Sequence, residues 1–148
     1  MTPVPRALED LRSDCSQCAG LCCVVPAFDK GDDFALDKAA HAPCPNLDNS
    51  NACRIHETLS ADGFAGCIQF ECHGAGQYVV QTLHNGSDWR DAPGRLAHMA
   101  DDFTRLRPVF EQLALLHLAQ NLPLTKVLHA QREAMIARLQ PEKQSDPI

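Results

Sequence analysis

Four thiols stand within nine residues, at Cys15, Cys18, Cys22 and Cys23, in the spacing C-x2-C-x3-C-C. A C-x2-C turn brings two sulfurs to one side of a tight loop, at a separation suited to clamping a thiophilic metal. Gly20 lets the backbone take a positive φ, so the loop can curl and return Cys22 to the same point. Adjacent side chains diverge in most backbone conformations, so Cys23 is expected to point elsewhere. The run therefore reads as three ligands for one centre plus a fourth thiol for a second. Structural disulfides are the competing use.

The other four cysteines, Cys44, Cys53, Cys67 and Cys72, follow in polar, turn-rich sequence, and none lies beyond Cys72. Cys53-Arg54-Ile55-His56 has the C-x2-H spacing that also suits zinc, so His56 is an additional candidate ligand. Other motifs carry less. Asp29, Asp32, Asp33 and Asp37 miss the spacing of a calcium loop and, with Lys30 and Lys38 nearby, read as a solvated face. Gly74-x-Gly76 has no third glycine and no following Gly-Lys-Ser/Thr, so it reads as backbone tightness beside a cysteine, not a phosphate loop.

The bulk of the chain bounds these readings. Its 148 residues suit one domain, 1–148, and 45% hydrophobic with 22% charged residues is an ordinary globular balance. A net charge of −6 with no Lys/Arg cluster argues against nucleic acid or an anionic membrane as partner. Neither a signal peptide nor a transmembrane run is visible, so a cytoplasmic setting, where thiols stay reduced, is expected. There, eight cysteines point to metal or redox chemistry before disulfides.

The elements that position the thiols fall in two halves. Residues 15–80 read as a Cys-rich, irregular, metal-bound half, broken by turn residues such as Asn49 and Gly63. Asp32 or Asp33 could cap a short helix over 34–40, with an extended run as the alternative. Residues 93–140 read as the helical half. There Leu96, Met99, Phe103, Leu106, Phe110, Leu113 and Leu116 recur at spacings of three and four, one apolar stripe. Pro108 should kink that helix or open a second one. A last helix carries Leu124, Val127, Leu128, Met135, Ile136 and Leu139. Prolines 3 and 5 make the start irregular, and 141–148 read as a tail. The expected fold class is mainly α, with the Cys-rich half packed on two or three C-terminal helices.

The cysteine set resembles the CxxCxxxCC family of zinc- or iron-chelating bacterial proteins. The matched positions are Cys15, Cys18, Cys22, Cys23, Cys44 in Cys-Pro-Asn-Leu, Cys53 in Cys-Arg-Ile-His, Cys67 and Cys72. Segments such as Gly63-Phe64-Ala65-Gly66-Cys67, Gly74-Ala75-Gly76-Gln77 and Asp88-Trp89-Arg90 are similar to the start of some bacterial pentapeptide-repeat proteins, though no such repeats occur here. The pattern is also similar to part of flagellin lysine methylases, which use an iron–sulfur centre. His56 stands where the wider family has Tyr. The resemblance implies a Cys-ligated centre, with a 4Fe-4S cluster favoured over zinc because the crowded C-x2-C-x3-C is nearer to cluster loops than to paired zinc knuckles. Two alternatives remain open. One is a structural-zinc module that binds a protein partner through its C-terminal helices. The other is a thiol redox enzyme, which lacks a thioredoxin-like βαβ pattern around its Cys15/Cys18 pair.

Overall fold

The computed structural model describes residues 7–140, so the expected irregular start at prolines 3 and 5 and the tail at 141–148 lie outside the described residues. The protein is mainly α. Five α-helices are seen among the described residues: α1 (Leu21–Val24), α2 (Ala65–Gln69), α3 (Ala75–Tyr78), α4 (Arg95–Leu118) and α5 (Lys126–Arg138). Short 3-10 turns precede α1 and α2, and a π-helical turn, Val79–Leu83, continues α3. The described residues contain no named β-strand, only isolated bridges pairing Phe28 with Lys38 and Leu47 with Cys53.

α4 is the platform. Met99, Phe103, Leu106, Phe110 and Leu113 are buried, while Leu96 and Leu116 at the ends of the stripe are half-buried. Spacings of three and four put these side chains on one helical face, and burying a large apolar side chain contributes roughly 1.5–3 kcal/mol each. Leu11, Leu21, Val25, Ala75, Tyr78 and Val79 join the same core, so α1, α3 and the first 3-10 turn all rest on α4. Tyr78 and Phe110 meet ring to ring at 5.3 Å.

Of the two outcomes expected at Pro108, the second helix does not occur. α4 runs unbroken through Pro108 instead of restarting there. Pro108 removes one intrahelical bond, to the carbonyl of Thr104. Both residues are exposed, so water can reach that carbonyl. The last helix begins as a capped element, the Thr125 hydroxyl accepting a bond from the Leu128 amide at 3.3 Å. Its apolar residues do not form a core stripe, however. Ile136 is buried, whereas Val127, Leu128 and Met135 are exposed.

The 25–64 stretch is held by isolated interactions. No helix forms over 34–40; instead Phe28 and Lys38 exchange backbone bonds of 3.0 and 2.8 Å, and Phe28 stacks on Phe34 at 4.2 Å. The carboxylates of Asp29, Asp32, Asp33 and Asp37 are exposed as a solvated face requires, but Lys38 departs from that reading. Its side chain turns inward until the residue is only 5% exposed. The ammonium donates to the carbonyls of Val24 (3.0 Å), Ala39 (3.1 Å) and Ala42 (2.8 Å). Three acceptors match its three donors, which makes the burial affordable.

Replacing Lys38 by Met keeps the stem and deletes the donors, leaving three carbonyls short of partners. The expected loss is about 1–3 kcal/mol of stability. A denaturant midpoint unchanged by K38M would show that the ammonium holds nothing.

Candidate metal centre

The thiol loop is built from small, local devices. Asp14 accepts from the Ser16 amide at 3.0 Å and opens the 3-10 turn Cys15–Gln17. Gly20 then adopts φ 68°, the left-handed value that a side chain disfavours, and starts α1. α1 carries both Cys22 and Cys23. Their sulfurs lie 3.9 Å apart, closer than the expectation that Cys23 would point elsewhere. On a helix, successive side chains are separated by about 100°, not the 180° of a strand, so neighbouring sulfurs can stay in touch.

The loop is clamped to the segment around Cys72. The Gln77 side chain accepts from the Asp14 amide at 2.7 Å and donates to the Arg12 carbonyl at 2.8 Å. Gln81, one turn on, donates to the Gln17 carbonyl at 2.9 Å. Ser13 bonds the Glu71 carboxylate and lies 3.0 Å from the Cys72 sulfur. Gly76 supplies the close approach. A Cβ there would stand 2.6 Å from the Cys18 sulfur, so no larger residue fits without moving it. Backbone tightness beside a cysteine is therefore what this glycine serves. Trp89 closes the far side, its indole donating to the Ala19 carbonyl at 2.9 Å.

The remaining cysteines are placed by the polar loops. The Cys44 amide donates to the Cys23 carbonyl at 2.9 Å, and the Leu47–Cys53 bridge folds the 44–53 loop back on itself. Leu47 is buried against Gly20, which seats that loop on the thiol turn. Cys67 lies on α2, whose Gly66 amide donates to the Asp33 carbonyl at 3.0 Å. His56, the candidate additional ligand, is exposed on the 3-10 turn His56–Thr58.

All eight cysteines are free thiols. The described residues contain no group of three or more His, Cys, Asp or Glu already gathered as a metal site. The thiols do feel one another. Burial pushes Cys18 up to about 12, with Cys72 and Cys15 adding to the rise. Burial likewise raises Cys15, helped chiefly by Cys72. Cys67 is raised to about 11 by burial and then by Cys23, Cys44 and Cys53. Cys53 is raised by burial, with Cys23 and Cys44 contributing. Cys23 moves the other way, lowered first by the hydrogen bond from Cys22 and also by the Lys38 ammonium. Lys38 is a charge that sequence reasoning missed, because its neighbour Cys23 lies fifteen residues away in the chain. The only advance sign was a lysine followed by two apolar residues, Ala39 and Ala40.

Over 131 residues the chain is 39% identical to the uncharacterized protein YybG of Bacillus subtilis (strain 168), an alignment that covers 88% of this chain and 47% of that protein. The chain thus spans about half the length of the curated relative it matches. No family model matches the sequence, and no solved structure matches it either.

Two predictions follow the geometry. Gly76→Ala forces the Cys18 sulfur from its place while leaving every cysteine present, so Cys18 should be alkylated faster than in the wild type with helix content unchanged; an equal rate would refute the contact. The second concerns the metal-free chain. Its folded state keeps the Cys18 proton to about pH 12, whereas an unfolded thiol releases its proton near 9.0. Between those values the folded state binds more protons, so its stability is complete below pH 9 and falls as pH rises toward 12. Thermal melts of chelated protein across that range check the slope, and a midpoint rising with pH would contradict it.

Proposed function

We propose that this chain is a metal-binding protein whose 15–72 segment folds around Cys-ligated metal, an iron–sulfur cluster in preference to zinc. The observation that carries the reading is eight free thiols within 58 residues, on a stretch with little regular structure of its own. Soft thiolate donors suit zinc and iron–sulfur clusters and suit hard cations poorly. The loop shape supports the same reading, since Gly76 makes room for the Cys18 sulfur where a side chain would intrude. The resemblance to the CxxCxxxCC family agrees with it.

The ligand set proposed is Cys15, Cys18, Cys22, Cys23, Cys44, Cys53, Cys67 and Cys72. These residues would bind as thiolates, so loading releases protons and weakens as pH falls. Bound metal is worth about 10–16 kcal/mol in small structural zinc peptides, comparable with the roughly 5–15 kcal/mol that holds a whole domain. The loops would then owe their order to the metal, and the α4 core would not.

A structural-zinc interaction module is the second reading. It is favoured by exposed Leu115, Leu118, Leu122, Val127 and Leu128 near the junction of α4 and α5, an apolar surface of the kind that binds a protein partner.

Anaerobically purified protein is expected to carry iron with matching acid-labile sulfide and to absorb visible light. Chelation should lower amide protection across 15–72 without abolishing it, while α4 stays protected. Zinc without sulfide would move the assignment to the second reading, and eight reactive thiols with neither metal would defeat both.

A further inference from the structure

Resting on that reading, we infer that the eight thiols form two separate four-thiol centres, Cys15, Cys18, Cys22 and Cys72 in one and Cys23, Cys44, Cys53 and Cys67 in the other, joined through the Cys22–Cys23 peptide bond.

The first group is defined by what it rests on. Cys18, Cys22 and Cys72 pack directly against the hydrophobic core, and none of the second four does so. Cys15 belongs with them because its turn is fastened to the Cys72 segment. The Gln77 amide holds Arg12 and Asp14, Gln81 holds Gln17, and Ser13 lies against both Glu71 and Cys72. Cys18 completes the seam by filling the hollow at Gly76.

The second group hangs from Cys23, the next residue of α1, by a different set of bonds. Cys44 is tied to Cys23 through the backbone, and the Leu47–Cys53 bridge returns Cys53 to the same loop. Cys67 arrives on α2, which is held by Gly66 to Asp33 and by the edge contact of Phe64 with Phe34, 6.5 Å between centroids. That arm ends at Lys38, whose ammonium is bonded to the carbonyl of Val24, next to Cys23.

Four thiolates complete a tetrahedral metal site or anchor a four-iron cluster, so each group suffices alone. His56 is left without a ligand role. Two adjacent cysteines serving two centres also explain why the motif ends in Cys-Cys: one α-helical turn faces both at once.

The division is tested on the full-length chain by three double variants, measured for metal and sulfide per chain after anaerobic purification. C18S/C72S and C53S/C67S each remove ligands from one group and should each halve the wild-type metal. C18S/C67S takes one ligand from each and should remove nearly all of it. Same-group pairs that remove all the metal, or a pair that removes none, would overturn the division. Wild-type protein needs no variant to fold: under graded chelation followed by alkylation and mass spectrometry, the thiols should become reactive in the same two sets of four. Exposure of all eight together, or in other sets, also overturns it. Wild type that holds no metal defeats the metal-binding reading itself, whereas wild type that loads metal without this division defeats the division alone.

Discussion

A thiol buried away from water keeps its proton, because its thiolate loses solvation there, and neighbouring sulfurs add repulsion to that cost. The thiol half of this chain lives under that constraint. Cys18 lies in the hollow of Gly76, Cys22 against Cys23, and the segment bearing Cys72 is clamped on by glutamine side chains. Such crowding costs little while the thiols are neutral. Ionising them together requires a compensating positive charge, and the only one the chain itself brings to Cys23 among the described residues is Lys38. Electrostatics, not shape alone, therefore decides what the loops can do.

The two halves differ in what stabilises them. α4 has a continuous apolar face and the core built on it, which needs nothing beyond burial and helix bonds. The 25–64 stretch has isolated bridges, a stacked ring pair and single polar contacts, each modest by itself. Joined in one chain, they make a rigid platform carrying loops of much lower local stability, the arrangement in which opening of the loops need not disturb the core.

Residues 93–140 were the most legible part of the sequence, because a helix writes its buried face at spacings of three and four. Met99 through Leu113 follow that rule without interruption. Gly20 and Gly76 were legible for a related reason, since a glycine beside cysteines marks tight backbone. Pro108 left a kink and a second helix open, because a proline's cost depends on whether the carbonyl it abandons can find water, and that is a property of exposure. The burial of Lys38 was hidden for the same kind of reason. Its acceptors come from Val24, Ala39 and Ala42, and no local pattern announces three carbonyls converging from separate segments. The neighbourhoods of the thiols were likewise out of reach. Cys15 and Cys72 are far apart in sequence, and what joins them is side-chain bonding by Gln77. The exposure of α5 was not legible either, since a sequence marks apolar residues but not what covers them.

Lys38 has one more implication. Its three bonds go to peptide carbonyls, which are dipoles, and not to a carboxylate, so its charge is solvated by the fold without being neutralised. A dipole shell shields far less at a distance than a counter-ion does, and a full monopole survives toward the sulfur of Cys23. Two clusters of sulfur with the same inventory would thus sit at different electrical potentials within one small protein. A single lysine breaks a symmetry that the cysteines, counted by themselves, would have left intact.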